Sequence, residues 1–195
     1  YLMSLLHTVL PFIVGSCLLG SPAALAAEKS SSMKSSQKLT IERITSSPAL
    51  EGSSPRSVKF SPDGSRVTFL RPSAADYKVL DLWEYNLKDQ EARLLVESTS
   101  ITGGEEELSQ VERARRERMR ISNSGIVSYS WSEDGAKLLF PLGGDLYQYE
   151  LEGGAVNRLT NSAEYETDSR FSPQGSYVSY ILDHNIHVVD VKAGK

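Results

Sequence analysis

The amino-acid sequence predicts an all-β fold, a partial β-propeller of about three four-stranded blades, with one arginine-rich helix inserted between two of the blades. Three observations support this prediction. A hairpin sequence occurs three times, its last two copies are 40 residues apart, and a run of five arginines has helical signals at both ends.

The repeated hairpin reads FSPDGSRVTF at 60–69, WSEDGAKLLF at 131–140 and FSPQGSYVSY at 171–180. Each copy has an aromatic strand end, a polar turn with glycine, and a second strand of alternating apolar residues. Proline presets φ for a type I turn, and glycine takes the left-handed conformation that starts the second strand in register. Each copy therefore predicts two antiparallel strands.

Further strands follow each hairpin. A third strand of aromatic or branched residues is predicted at 81–87, 145–151 and 185–191. A polar turn and a short fourth strand come next, at 92–95 and at 156–160. Four-stranded units that recur at about this spacing are typical of propeller blades.

The spacing of the blades reveals an insertion. Phe60 and Trp131 are 71 residues apart, whereas Trp131 and Phe171 are 40 apart. Seven of the 31 extra residues fit in the loop before Trp83, so the other 24 lie between the first blade and Tyr129. The predicted blades are 56–96, 126–160 and 166–195.

The insertion contains LSQVERARRERMRI, whose signals are helical. Ser109 and Glu112 match a capping box, and Glu112 and Arg116 form a favourable i,i+4 pair. Gly125 follows the expected helix end. The sequence therefore predicts a helix over 109–121. Its apolar stripe is thin, so we expect the helix to be ordered by what its arginines contact.

The N-terminal region is predicted to be a signal peptide at 1–26, followed by a serine-rich linker at 27–55. An apolar stretch precedes the small-x-small sequence ALA at 24–26, which a signal peptidase cleaves. The alternatives are an uncleaved membrane anchor and a lipid-modified Cys17. In the linker, only 39–44 offers material for a short strand.

The composition excludes several classes of function. With 21 Lys and Arg against 25 Asp and Glu, the net charge is -4, which does not suit a protein that coats nucleic acid. Three histidines and one cysteine cannot build a structural zinc site or a disulfide framework. We expect no metal site, no cofactor and no nucleic-acid partner, and membrane contact only through the signal segment.

The stretch VERARRERMRISNSGIVSYSWSEDGAKLLFPLGGDLYQYEL resembles the propeller domain of bacterial dipeptidyl peptidase IV enzymes, in the prolyl oligopeptidase group of serine peptidases. The resemblance spans about residues 55–195. It implies an eight-bladed propeller followed by a C-terminal α/β-hydrolase domain that carries the catalytic Ser, Asp and His. The sequence contains no Gly-x-Ser-x-Gly elbow, so we expect no catalytic residue in this chain, which would be the N-terminal part of a longer enzyme.

The resemblance also implies a role for the helix. In the family, an arginine of this segment binds the carbonyl of the penultimate substrate residue. The motif assigns that role to Arg116, with Arg120 as the second choice one turn along. The alternative is a solvated charged helix with internal ion pairs. The family's amine-binding glutamates belong to a later motif, so Glu105, Glu106 and Glu107 are expected to favour the helix N-terminus electrostatically.

Two functions of different classes are consistent with the sequence. The first is an exported serine exopeptidase, periplasmic or secreted, that releases Xaa-Pro or Xaa-Ala dipeptides from peptide N-termini. Its propeller would restrict access, its helix would bind the substrate N-terminal end, and the resemblance also allows a homodimer. The alternative is a noncatalytic periplasmic propeller that binds protein or peptide. A hydrolase domain downstream would distinguish the first from the second.

Overall fold

The chain folds into consecutive antiparallel sheets. The structure, a computed structural model, describes residues 39–46, 50, 52–104, 106, 108–162 and 164–192. A compact unit begins at Thr40. The predicted signal peptide and most of the predicted linker lie outside the described residues. Within them, no helix has both the length and the apolar character needed to cross a membrane.

The predicted linker contains a short helix, not the short strand that its sequence allows at 39–44. Helix α1 spans Ile41–Thr45, and its N-cap Thr40 accepts a hydrogen bond from the Arg43 N–H at 3.2 Å. All its residues are exposed. A threonine cap therefore overrides the strand preference of the isoleucines.

The first sheet is an antiparallel meander. Its strands, in spatial and chain order, are β1 (Arg56–Phe60), β2 (Arg66–Pro72), β3 (Val79–Asn86) and β4 (Glu91–Val96). The chain then forms helix α2 (Ser98–Thr102) and helix α3 (Gln110–Arg118). A two-residue strand, β5 (Ser124–Gly125), returns to pair in parallel with β3. The inserted segment is thus attached at both ends to the first sheet.

Two further sheets repeat this arrangement. The second contains β6 (Ser130–Trp131), β7 (Lys137–Leu142), β8 (Asp145–Glu150) and β9 (Val156–Arg158), again in chain order. The third contains β10 (Thr167–Phe171), β11 (Tyr177–Leu182) and β12 (Asn185–Asp190). The prediction of an all-β chain, a partial propeller with an inserted arginine-rich helix, is confirmed.

The repeat extends to the details of the backbone. In all three hairpins, the turn glycine donates its N–H to the serine carbonyl three residues earlier, at 2.8 to 3.0 Å. The register of β1 against β2 shifts between Arg56 and Lys59, and that of β10 against β11 shifts at the equivalent place. In both, a non-glycine residue has positive φ, 50° at Ser57 and 51° at Asp168. The first and third units therefore share a β-bulge as well as a turn.

Apolar side chains hold neighbouring sheets together face to face. One buried cluster joins the first and second sheets and includes Leu70, Leu82, Leu138 and Phe140. A second cluster joins the second and third sheets and includes Leu139, Leu146, Val178 and Val189. Because strand side chains alternate, the second sheet buries Leu138 on one face and Leu139 on the other. This two-sided burial is what a blade between two other blades requires.

Candidate functional site

Helix α3 begins at a serine cap. Ser109 has extended backbone angles, and its Oγ accepts a hydrogen bond from the Glu112 N–H at 3.2 Å. A serine in this position satisfies one of the free N–H groups of the first helical turn. The Glu112 carboxylate binds arginines of its own helix. Thus one of the two hydrogen bonds of the predicted capping box is present.

The helix ends in a Schellman motif with arginine at the left-handed position. Arg120 has a φ of 55°. Its N–H donates to the Glu117 carbonyl at 3.0 Å, and the N–H of Ile121 donates to the Arg116 carbonyl at 2.8 Å. The helix therefore ends without using Gly125, the glycine that the sequence suggested as its stop.

Gly125 serves close packing instead. It lies in β5 with a φ of 74°. A Cβ at this position would lie 2.6 Å from the Leu80 carbonyl oxygen and 2.8 Å from the Ser98 Oγ. Glycine therefore allows the chain that leaves α3 to lie directly against the first sheet.

Arg116, the first predicted substrate ligand, is buried in an ion-pair cluster. Its side chain is only 5% exposed. Its Nε donates to Glu112 at 2.7 Å, and its Nη1 and Nη2 donate to the two oxygens of Glu106 at 3.1 and 2.8 Å. Nη1 also lies 3.4 Å from the carbonyl of Asn123. These contacts use four of the five N–H groups of the guanidinium.

Glu106 is the second centre of this cluster. Its side chain is 4% exposed. The sequence predicts that Glu106 acts electrostatically on the helix N-terminus, but its carboxylate pairs with Arg116 in the second half of the helix. Besides the two hydrogen bonds from Arg116, its carboxylate accepts hydrogen bonds from the N–H of Gly125 at 3.2 Å and from the N–H of Gly143 at 3.3 Å. Glu105 and Glu107 lie outside the described residues.

The charges of the cluster stabilise one another. Burial alone would raise the pKa of Glu112, but hydrogen bonds from Arg115 and Arg116 outweigh it and hold this pKa below its ordinary value. Burial alone would lower the pKa of Arg116, but its hydrogen bonds to Glu106 and Glu112 outweigh burial and raise this pKa above its ordinary value. Both helix residues are therefore charged at neutral pH, and the buried face of α3 is ionic rather than apolar.

A small cavity lies between α3 and the second and third sheets. It has a volume of about 220 Å³ and is lined by residues that include Arg115, Tyr165, Glu166 and Asp168. The Arg115 guanidinium binds Glu112 at 2.6 and 2.8 Å and lies 5.8 Å from the centre of the Tyr165 ring. A cation–π contact thus links the helix to Tyr165, just before the third sheet begins at Thr167, while the Arg116 cluster holds the helix to the first two sheets.

Arg120, the second predicted ligand, is exposed at the end of the helix. Among the described residues its side chain has no ion pair or hydrogen bond. Arg116 and Arg120 therefore have opposite surroundings, one enclosed by carboxylates and the other open to solvent. The substrate-binding role of each stays a prediction.

Sequence reasoning found the helix and the pairing of Glu112 with Arg116, but it missed Glu106. Glu106 is ten residues from Arg116 and outside the helix, so helical periodicity gives no signal for their contact. The acidic run before the helix was the available signal. Its meaning depends on how the loop returns to the two sheets, which local sequence does not reveal.

The fold and the site together define a propeller segment whose inserted helix carries a buried arginine. Residues 132–195 match the family model described as the dipeptidyl peptidase IV (DPP IV) N-terminal region. Over these residues the resemblance to the DPP IV propeller is confirmed, whereas the arginine helix, its most distinctive motif, precedes the matched residues. Residues 132–195 are thus similar to the N-terminal region of DPP IV.

Solved structures also resemble the chain. A protein assigned as TolB from Agrobacterium tumefaciens is 17% identical, with a TM-score of 0.45, over 73% of this chain and 47% of that one. TolB from Acinetobacter baumannii is 17% identical, with a TM-score of 0.45, over 73% of this chain and 31% of that one. The tricorn protease is 18% identical, with a TM-score of 0.49, over 72% of this chain and 12% of that one. The chain thus spans less than half of each of these proteins.

Proposed function

We propose that the chain is the N-terminal propeller segment of an exported serine exopeptidase, periplasmic or secreted, which releases Xaa-Pro or Xaa-Ala dipeptides from peptide N-termini. The observation that carries this proposal is the match of residues 132–195 to the DPP IV N-terminal region. The inserted arginine helix, which precedes the matched residues in the chain, supports it. The catalytic Ser, Asp and His would belong to a hydrolase domain of the full-length protein.

In this proposal the helix binds the N-terminal end of the peptide. Glu106, Glu112 and Asn123 take up four of the five N–H groups of Arg116, and the Tyr165 hydroxyl also hydrogen-bonds this guanidinium, so a substrate carbonyl would share or replace the Tyr165 contact. One charge-assisted hydrogen bond from a pre-positioned guanidinium suits a carbonyl acceptor. Arg120 is exposed and can reach acceptors further from the sheets. The propeller restricts access, so that short or extended N-terminal segments reach the active site.

The test is dipeptide release by the full-length protein. We expect cleavage of a chromogenic Gly-Pro or Ala-Pro substrate with a free N-terminal amine, because the proposed exopeptidase binds that amine and cleaves after the second residue. The same substrate with an acetylated N-terminus is the matched control and should not be cleaved. If neither is cleaved by the full-length, folded protein, the exopeptidase proposal is wrong and the noncatalytic propeller is favoured.

A further inference from the structure

The loop between α2 and α3 places a carboxylate in the interior. Glu106 lies in that loop, yet its side chain is 4% exposed. A buried carboxylate is tolerated only when donors surround it. Glu106 has four: two from Arg116 and two from backbone N–H groups.

The two backbone donors belong to the first and second sheets. Gly125 lies in β5, which pairs with β3, and the next N–H, that of Ile126, donates to Leu80 at 3.0 Å. Gly143 lies in the turn between β7 and β8 of the second sheet. The carboxylate of Glu106 is therefore fixed to two sheets at once.

The other donors belong to the helix. Nη2 and Nη1 of Arg116 approach the two oxygens of Glu106 at 2.8 and 3.1 Å, the parallel arrangement that fixes the guanidinium plane. Glu112 also binds Arg116, but it lies on the same helix and moves with it. Glu106 therefore connects the arginine to the backbone of both sheets, whereas Glu112 cannot.

We propose that Glu106 is the positioning residue of the helix, holding the Arg116 guanidinium in register with the two sheets so that a substrate carbonyl meets it at a fixed place. This inference deepens the proposed function and rests on it for the role of the substrate. Glu106 does not touch substrate; it acts through Arg116. The position of the helix relative to the sheets depends on Glu106 whether or not the protein is a peptidase.

The kinetic test uses Glu106→Gln in the full-length protein, with Glu117→Gln on the exposed side of the same helix as the matched control. Arg116 would contact substrate away from the reacting bond, so its loss of position weakens substrate and transition state alike. We expect Glu106→Gln to raise KM about 10-fold while kcat changes less than twofold. We also expect Glu106→Gln to have no further effect on kcat/KM in an Arg116→Ala background.

The kinetic outcomes separate positioning from a merely structural role. A variant that only unfolds more easily has fewer active molecules, which lowers kcat and leaves KM unchanged. A lower kcat with an unchanged KM would therefore overturn the inference. So would a KM of Glu106→Gln equal to that of Glu117→Gln. Additive effects of Glu106→Gln and Arg116→Ala on kcat/KM would overturn it as well.

Hydrogen exchange tests the inference without peptidase activity. In the full-length protein, Glu106→Gln should increase the exchange of the amides of 110–118 and of 124–125 relative to Glu117→Gln, while those of β7 and β8 stay protected. Unchanged exchange in 110–118 would overturn the inference. Absence of dipeptide release from the wild-type protein would overturn the proposed function alone, because the exchange measurement still decides the role of Glu106.

Discussion

At the scale of single residues, the arginines of the inserted helix differ although the sequence presents them as one basic run. Arg116 is enclosed by Glu106 and Glu112, whereas Arg120 is exposed and has a left-handed backbone. Arg115 lies between these extremes, bound to Glu112 beside the Tyr165 ring. Substitutions of Arg116 and Arg120 should therefore have different consequences.

Arg116→Ala should lower both stability and activity. It leaves Glu106 and Glu112 buried without their shared cation, so we expect a loss of about 3–5 kcal/mol in the free energy of unfolding. In the full-length protein, the missing hydrogen bond to substrate should reduce kcat/KM roughly 10- to 100-fold. Urea unfolding and dipeptide release, measured well below the variant's Tm, test the two effects.

Arg118→Ala, which removes an exposed arginine of the same helix, is the control for both measurements of Arg116→Ala. A kcat/KM equal to that of wild type would remove the substrate role of Arg116. An unchanged unfolding free energy would show that the buried ion pairs contribute nothing net.

Arg120→Gly should stabilise the protein. Residue 120 has a φ of 55°, a conformation that costs a residue with a side chain about 1–2 kcal/mol and glycine very little. Part of that gain is offset by the greater freedom of glycine in the unfolded chain, so we expect a net gain of about 0.5–1 kcal/mol.

Arg118→Gly supplies a control of opposite sign for Arg120→Gly. Residue 118 lies in the last helical turn, where glycine should cost up to about 1 kcal/mol. Thermal unfolding of both variants gives the comparison. Equal destabilisation by the two glycines would contradict the left-handed backbone at residue 120.

At the scale of the element, helix α3 is stabilised by buried charges rather than by apolar packing. Glu112 contributes to this only while it is ionised, because its hydrogen bonds to Arg115 and Arg116 require a carboxylate. The folded state holds its pKa below the ordinary value of 4.5. The stability that Glu112 provides is therefore complete above about pH 4.5 and is lost as the pH falls through the lower pKa of the folded state.

Acidification should therefore affect the wild-type helix more than a Glu112→Gln variant. We expect the difference in Tm between wild type and Glu112→Gln to be largest at neutral pH and to shrink below about pH 4.5. Measuring Tm from pH 7 to pH 3 for both proteins checks this. A difference that stays constant over the whole range would mean that the charge of Glu112 does not stabilise the helix.

The helix also shows what the sequence can and cannot predict about an element. Ser109 and the pairing of Glu112 with Arg116 were predictable because they are local contacts within one or two turns. The repeated hairpins were predictable for the same reason, since their turn residues are fixed at constant offsets. The contact of Glu106 with Gly125 and Gly143 was not, because it depends on how two sheets and a loop meet.

At the scale of the whole molecule, the outermost described sheets expose apolar faces. On β12, Ile186 and Val188 point to the same side and are 79% and 63% exposed. Val189, also on β12, points to the other side and is buried against the second sheet. On β1, Phe60 is 65% exposed. In a propeller these faces would lie against further blades, and left uncovered they favour association.

Residues 28–195 produced alone should therefore be poorly soluble, associate with increasing concentration, and release no dipeptide. Replacing Ile186 and Val188 together with lysine should reduce the association, because it places two charges on the uncovered face. Replacing Leu87 with lysine is the control, since this exposed residue lies in a turn away from β12. Light scattering and sedimentation at several concentrations measure the effect. A cooperative melt from a monomer at every concentration would show that these faces need no neighbouring blade, and the comparison of the two lysine variants would then show no difference.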